Sequence, residues 1–302
     1  MFERLRLAAD AGLKIAYSGG LDSHVLLHAL VALRATHPLR LVAVHIDHGL
    51  AAQSGAWSQH CSAVCQALEV AFVLESVQVQ GGSGEGTEAA ARRARYAALA
   101  RHVGPGEVLL TAHHQDDQAE TLLLQLLRGA GVQGLAGMRE AMGFAAGRHL
   151  RPLLGFSRAA LRHYADSAGL QWIEDPSNAD VGYRRNLLRH DVLPLLTQQW
   201  PQAAALLARA AQHAGEAALL LDELAAADLD RCRWRDTATV LSVSALQALS
   251  PARQRNVLRY WLRVRGFLAP STLHLETLVG QLHATPRTGH GRLGRGPGED
   301  DL

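Results

Sequence analysis

A run of small and polar residues follows the first apolar segment of the chain, residues 13–17. This run, Ser18-Gly19-Gly20-Leu21-Asp22-Ser23, leads into the helical pattern that begins at His24. A strand that turns through two glycines into a helix presents backbone N–H groups and the positive end of the helix dipole to an anion. Ser18 and Ser23 add hydroxyl groups, and Asp22 could hold Mg²⁺ against phosphates. The run therefore predicts a phosphate-binding loop, and a tight strand–helix connection capped by Ser23 is the alternative.

Two further polar clusters follow apolar runs, at residues 45–50 (His-Ile-Asp-His-Gly-Leu) and 111–121 (Thr-Ala-His-His-Gln-Asp-Asp-Gln-Ala-Glu-Thr). Asp117 and Glu120 are three positions apart, so they share one face of a helix. Together they could hold an ammonium group, such as that of an amino-acid side chain, or a divalent metal. The simpler interpretation is that acids in the first turns of a helix are favoured by its dipole.

The histidines of these clusters leave a metal site open as an alternative. Such a site would use His45, His48, His113 and Asp117. These residues lack the fixed ligand spacing of known metal motifs, so the metal interpretation is the weaker one.

The elements that must position these clusters alternate along the chain. Apolar runs predict strands at residues 13–17, 40–46, 70–77 and 108–112, and helical patterns occupy 23–34, 53–68, 87–102 and 115–128. This order predicts an α/β fold with a doubly wound, mostly parallel sheet and helices on both faces. Ligands bind beyond the carboxyl ends of such strands, so the three clusters are expected to form one site.

Length and composition indicate two domains. The chain has 302 residues, of which 48% are hydrophobic, and its net charge of +2 does not by itself indicate nucleic-acid binding. We expect a Gly/Arg-rich tail at residues 285–302 that does not fold.

The cysteines and the apolar runs bear on the compartment. Three cysteines, an odd number, suit a reducing compartment rather than a disulfide framework. No apolar run approaches membrane-spanning length, so we expect a cytoplasmic protein without a membrane partner. The absence of a Cys-x-x-Cys pair argues against a zinc ribbon or a thiolating iron–sulfur enzyme.

Arginines supply three candidate contacts with anions. Arg92 shares a helix face with Tyr96, and the segment 183–190 (Tyr-Arg-Arg-Asn-Leu-Leu-Arg-His) could grip the phosphates of a nucleotide or of RNA. A later helix, after Ser250-Pro251, carries a row formed by Arg255, Arg259 and Arg263. In each case a solvated or packed helix face is the alternative.

An ordered series of motifs covers residues 13–196: S-G-G-L-D-S, H-I-D-H-G-L, A-R-R-A-R-Y, A-H-H-Q-D-D-Q-A-E-T, R-P-L-L, E-D-P-S-N and R-R-N-L-L-R-H-D-V-L-P. The series resembles the tRNA(Ile)-lysidine synthases, a family of PP-loop ATP pyrophosphatases with an adenine nucleotide α-hydrolase-like sheet. The resemblance implies a catalytic domain at residues 1–196 and a smaller, mainly helical substrate domain at 197–284. It also implies an ATP- and Mg²⁺-dependent ligase. Such an enzyme attaches L-lysine to the 2-position of the wobble cytidine in the CAU anticodon of tRNA(Ile), through an adenylated tRNA, and releases AMP and pyrophosphate.

The resemblance also implies a role for each matching residue. Nucleotide binding falls to Ser18, Gly19, Gly20, Leu21, Asp22, Ser23, His45 and Arg92, with Mg²⁺ held through ATP by Asp22. Catalysis falls to Asp22, His113, Asp117 and Glu120. Substrate binding falls to His113, Asp117, Glu120, Arg185, Arg189, Arg255, Arg259 and Arg263. Lysine and the tRNA are the implied partners, and the oligomeric state, including a homodimer, is left open.

Three other functions remain as alternatives. The nearest is another PP-loop enzyme, such as a tRNA thiolase or an amide-forming adenylating ligase. The others are a metal-dependent hydrolase and a non-catalytic RNA-binding protein. Many lysidine synthases carry a further C-terminal domain beyond the motifs seen here. The sequence leaves open whether the short C-terminus is natural or truncated and how it affects discrimination among tRNAs.

Overall fold

The computed structural model of the chain describes residues 11–49, 53–78, 87–176, 180, 182–234, 237–268, 270–284 and 292–293. The chain divides into two compact units, Met1–His213 and Ala214–Leu302. The sequence placed the domain boundary at 196/197, inside the first of these units, and that boundary stays a prediction.

The first unit is built on a six-stranded sheet in the order β3-β2-β1-β4-β6-β5. The strands are β1 Gly12–Ala16, β2 Arg40–Asp47, β3 Ala71–Ser76, β4 Val108–Leu110, β5 Ala141–Phe144 and β6 Gly147–Leu150. All neighbouring pairs are parallel except β5 with β6. The predicted α/β fold with a mostly parallel sheet is confirmed. Because β1 pairs with both β2 and β4, the three polar clusters follow adjacent strands.

Helices connect and cover these strands. They are α1 Leu21–Ala32, α2 Ser54–Ala67, α3 Thr87–Arg101, α4 Gln115–Leu126, α5 Val132–Leu135, α6 Arg158–Ser167, α7 Arg184–Leu187 and α8 Leu193–Gln199. The main core joins β1, β4 and α1 through Leu13, Ile15, Leu26, Leu27 and Leu110. Burying these side chains stabilises the strand–helix–strand unit by about 1.5–3 kcal/mol for each of them.

Two features of the first unit were not predicted. The β5–β6 hairpin was missed because each of its strands is only four residues long, too short for a periodic pattern to indicate a strand. The helical segment after Tyr183 is interrupted by a π-helical turn, Leu188–Val192, between α7 and α8. The remaining boundaries agree with the predicted ones to within a few residues.

The second unit is mostly helical. The long helix α9, Ala203–Cys232, begins in the first unit and ends in the second, followed by β7 Arg233–Trp234, β8 Thr237–Ser242, α10 Val243–Gln247, α11 Pro251–Val264, α12 Thr272–Ala284 and β9 Arg292–Leu293. Its core includes Val257, Trp261 and Leu275. The strands form a small sheet in the order β7-β8-β9. The mainly helical second domain is thus confirmed.

The segment 285–302 was predicted not to fold. Arg292 and Leu293 pair with Ser242 and Leu241 as strand β9. The rest of that segment lies outside the described residues, so the prediction stands untested there.

The three cysteines are all buried and free. Cys61 and Cys65 lie in the core of the first unit, and Cys232 lies in that of the second. Burial raises the pKa of the Cys65 and Cys232 thiols to about 11. Within the described part of the chain, no helix has both the length and the apolar character to cross a membrane.

Candidate active site

The loop between β1 and α1 is fixed by its two serines. The Ser18 N–H donates to Ser23 Oγ at 3.2 Å, and Ser23 Oγ donates to the Gly20 carbonyl oxygen at 3.0 Å. The two hydroxyl oxygens lie 3.1 Å apart. These bonds curl the backbone over the start of α1, whose first N–H groups have no partner within the helix. The geometry is that of an anion site.

Gly19 is required by both conformation and space. Its φ of +80° lies in the region that favours glycine. A Cβ at this position would lie 2.7 Å from both Cys61 Sγ and Ile173 Cδ1. The Ile173 N–H donates to the Gly19 carbonyl oxygen at 2.9 Å, so the loop is held from two sides.

Asp22 lies in the first turn of α1 and has one unsatisfied oxygen. Its Oδ1 is buried and has no hydrogen-bond partner among the residues that the structure describes. Its Oδ2 lies 3.5 Å from His114 Nε2. A buried carboxylate oxygen without a donor suits a cation, because leaving it unpaired is costly. The residue therefore fits the Mg²⁺ role that the sequence assigned to it.

His114 caps the helix that carries the acidic cluster. Its Nδ1 accepts from the Asp117 N–H, and the Asp117 carboxylate accepts from the His114 N–H at 3.0 Å, which forms a reciprocal capping box. Burial alone would lower the pKa of His114. The hydrogen bond with Asp22 and the charges of Asp117, Asp22 and Asp116 outweigh burial, so the pKa is raised. The sequence did not single out this residue, although it stands beside His113.

Glu120 is fully buried and lies between two arginines. Its Oε2 accepts from Arg185 Nε and its Oε1 from Arg189 Nε, each at 2.7 Å. Arg189 Nη2 also donates to Asp117 Oδ1 at 3.0 Å. Burial would lower the pKa of Arg189, but the charges of Glu120 and Asp117 raise it. The arginines that the sequence assigned to phosphates thus lie against the acids that it assigned to lysine.

His113 lies in cationic surroundings. Its Nδ1 lies 2.7 Å from Thr111 Oγ1, which in turn lies 2.8 Å from His149 Nε2. Burial, followed by the charge of Arg151, lowers the pKa of His113 well below its ordinary value and that of His149 to about 3. Arg92 lowers both as well, and its guanidinium lies over the Tyr96 ring, 5.0 Å from the centroid.

His149 and Arg151 were not assigned a role by the sequence. His149 lies on the unpredicted strand β6, which pairs in parallel with β4 and therefore ends beside the acidic cluster. Arg151 opens the R-P-L-L motif, and that motif was the one signal that pointed to this position.

The remaining predicted site residues lie on two elements, strand β2 and helix α11. His45 is buried, and its Nδ1 donates to the Tyr17 carbonyl oxygen at 2.9 Å, which ties β2 to the start of the phosphate loop. Arg263, in the second unit, binds Asp222 at 2.7 Å. Arg255 and Arg259 have no hydrogen-bond or ion-pair partner among the described residues.

The metal interpretation gains no support from the geometry. Across the residues that the structure describes, no group of three or more His, Cys, Asp or Glu side chains is arranged to hold a metal ion. His45 Nδ1 and His113 Nδ1 are also already engaged in hydrogen bonds.

Comparison with known families gives two matches. A family described as a PP-loop domain matches residues 3–196, and one described as a TilS substrate binding domain matches residues 241–295. The first match covers the strands and loops that carry Asp22, His114 and Glu120. The second covers α11 and its row of arginines.

Two curated relatives of this chain carry the same name. Proteins called tRNA(Ile)-lysidine synthase are 53% identical over 276 residues in Alkalilimnicola ehrlichii and 46% identical over 272 residues in Coxiella burnetii. These matches cover 91% and 90% of this chain but 61% and 60% of the relatives. The chain therefore spans about three fifths of the length of the curated relatives that it matches.

The fold also has a solved counterpart. The U34-tRNA thiolase NcsA from Methanococcus maripaludis superposes with a TM-score of 0.57 at 15% identity, over 68% of this chain and 72% of the thiolase. At that identity the likeness concerns the fold alone. With its parallel sheet, its glycine-containing phosphate loop and a family match over residues 3–196, this chain belongs to the PP-loop family.

Proposed function

We propose that the chain uses ATP and Mg²⁺ to attach L-lysine to the 2-position of the wobble cytidine in the CAU anticodon of tRNA(Ile). The product is lysidine, and AMP and pyrophosphate are released through an adenylated tRNA intermediate. Support comes from relatives of that name at about 50% identity and from the match to the TilS substrate binding domain.

The observation that carries the proposal is the convergence of two chemically different groups. The phosphate loop, with the unsatisfied oxygen of Asp22, lies next to the capped acidic helix through the Asp22–His114 contact. An anion site beside carboxylates suits a reaction that joins an activated phosphate ester to an amine.

Each group has a task in this reaction. The first turn of α1 and its serines would bind phosphate oxygens, and Asp22 would hold Mg²⁺, which neutralises charge on the phosphates. The carbonyl oxygen at the 2-position of the cytidine would attack the α-phosphate. The lysine amine would then attack the adenylated carbon and expel AMP, with Asp117 or Glu120 to orient it and accept its proton.

The acids are not free in this structure. Glu120 accepts two 2.7 Å bonds from arginines, and Asp117 accepts from Arg189. An ammonium group can reach them only by sharing or replacing these donors. Arginine also binds phosphate well, so phosphate binding by Arg185 or Arg189 would release the acids for lysine.

The anticodon loop is a suitable RNA target, because unpaired bases can be splayed into a pocket. Phosphate contacts would come from Arg255 and Arg259, which have no partner among the described residues. We place the reaction in the cytoplasm, where ATP and tRNA are present. A homodimer remains a prediction.

The test measures incorporation of radiolabelled lysine into a tRNA(Ile) transcript with a CAU anticodon, with and without ATP. We expect ATP-dependent incorporation, none into the same transcript with uridine at the wobble position, and a loss of about 100-fold in Asp22→Asn. Asp166→Asn, which changes an exposed acid paired with Arg162, is the matched control and should retain activity. No incorporation by the folded chain would refute the proposal.

A further inference from the structure

A chain of hydrogen bonds runs from Arg151, directly after strand β6, to His113. Arg151 Nη2 lies 3.3 Å from His149 Nδ1, His149 Nε2 lies 2.8 Å from Thr111 Oγ1, and Thr111 Oγ1 lies 2.7 Å from His113 Nδ1. Its first three members are buried, with 6%, 1% and 6% of the surface of Arg151, His149 and Thr111 exposed.

The direction of this chain follows from its first member. A guanidinium can only donate, so His149 Nδ1 must accept. A neutral imidazole that accepts at one nitrogen carries its proton on the other, so His149 Nε2–H donates to Thr111 Oγ1. Thr111 has one hydroxyl proton, and within the described residues the only other hydrogen-bond partner of its oxygen is His113 Nδ1. That nitrogen therefore accepts, and the proton of His113 lies on Nε2.

Burial keeps this arrangement in place. Water cannot replace the partners, and an unmade hydrogen bond of a buried donor is costly. Burial and the charges of Arg151 and Arg92 also lower the pKa of both histidines, so both are neutral at physiological pH.

We propose that Thr111, His149 and Arg151 are positioning residues that hold His113 as its neutral Nε2–H form, so that His113 donates a hydrogen bond to a substrate oxygen and does not accept the proton of the attacking amine. The proposal rests on the proposed function in that His113 faces the reacting centre. The arginines that act on His113, namely Arg151, Arg92 and Arg185, favour an oxygen that carries or gains negative charge. The proton of the amine then falls to Asp117 or Glu120.

The first experiment reads the tautomer directly and needs no substrate. Long-range ¹H–¹⁵N spectra of the full chain labelled at histidine identify the His113 signals by their loss in His113→Gln. We expect a pyrrole-type shift at Nε2 and a pyridine-type shift at Nδ1, unchanged from pH 8 to pH 6. A protonated Nδ1 or an imidazolium signal in this range would overturn the proposal. Because neither ATP nor tRNA is present, this result does not depend on the proposed reaction.

The second experiment removes one link. Thr111→Val keeps the shape of the side chain and removes the hydroxyl, whereas Thr111→Ser keeps the hydroxyl. We expect the valine variant to show a mixture of both His113 tautomers and about fivefold slower AMP release, and the serine variant to match the wild type. If the valine variant does not fold, His149→Phe breaks the chain one link earlier with a ring of similar size. If the folded Thr111→Val or His149→Phe variant still showed only the Nε2–H tautomer of His113, this result would overturn the positioning role.

The third experiment tests whether His113 acts as a hydrogen-bond donor or as a base. Gln can donate from a position close to Nε2 but cannot accept a proton, and Leu can do neither. We expect His113→Gln to retain at least about tenfold more AMP release than His113→Leu, with an unchanged pH profile. Equal loss in both variants would show that His113 acts as a base and would overturn the proposal.

Discussion

His114 Nε2 lies 3.5 Å from Asp22 Oδ2, so the residue that caps the acidic helix also contacts the acid of the phosphate loop. The two helices follow β1 and β4, which are neighbours in the sheet. One histidine therefore couples the start of α4 to the start of α1. Changes at either helix terminus are expected to affect nucleotide binding.

The contact between His114 and Asp22 can be tested separately from the role of His114 as the cap of α4. Asn is a strong N-cap but is too short to reach Asp22, so His114→Asn should keep the free energy of unfolding within about 1 kcal/mol and raise KM for ATP about fivefold. His114→Ala should lose both the helix cap and the contact with Asp22, with a further loss of about 1 kcal/mol in the free energy of unfolding. Urea unfolding and pyrophosphate-release kinetics measure the two effects. An unchanged KM in the Asn variant would contradict the coupling.

Removal of the charge on Glu120 leaves Arg185 and Arg189 without their main partner. We expect Glu120→Gln to lower the free energy of unfolding by about 3 kcal/mol, because the pairs are largely buried. The exposed pair Arg162–Asp166 is the control, and Asp166→Asn should cost less than about 0.5 kcal/mol. Combining Glu120→Gln with Arg185→Met should restore part of the loss. If Glu120→Gln and Asp166→Asn lowered the free energy of unfolding equally, this result would argue against a structural role for Glu120.

The arginine row of α11 is not uniform. Arg263 already binds Asp222 at 2.7 Å, whereas Arg259 is exposed. Replacing Arg255 and Arg259 with Ala should reduce the salt slope of tRNA binding by about 1.4, at about 0.7 for each single-strand phosphate contact. Arg263→Ala should change it less. Filter binding at several salt concentrations measures the slope, and an unchanged slope in the double variant would exclude this row as an RNA contact.

His149 should make the stability of the fold depend on pH. Its pKa is lowered from 6.5 to about 3 in the folded protein, so between these values the unfolded chain binds a proton that the folded protein does not. Stability is therefore lost as the pH falls from about 6.5 towards 3. His149→Phe should show a smaller difference in free energy of unfolding between pH 7 and pH 4.5 than the wild type. A difference of the same size would contradict the buried neutral state.

A substitution at Gly19 tests the rigidity of the phosphate loop. Gly19→Ala places a Cβ 2.7 Å from Cys61 Sγ at a φ of +80°, and should destabilise the protein by at least about 1 kcal/mol. Gly55→Ala adds a methyl group near the start of helix α2, where no atom of another described part of the chain lies within 4 Å, and should be neutral or slightly stabilising. Thermal unfolding compares the two. A neutral Gly19→Ala would show that the loop can relax.

Much of the site could be predicted because it follows from sheet topology. Alternating strands and helices required a parallel sheet, and its strand ends brought Asp22 and the acidic helix together. The partners of Glu120 could not be predicted, because Arg185 is 65 positions away and lies on a short helix without strong periodicity. The position of His149 was also hidden, since its strand is only four residues long.

The buried cysteines give each unit an internal reporter of unfolding. Thiol reagents attack the thiolate, so Cys61 and Cys65 in the first unit and Cys232 in the second are protected while the fold is closed. Labelling under native conditions followed by mass spectrometry would thus record how often each unit opens. The wild-type chain can report the separate opening rates of its two units without any engineered probe.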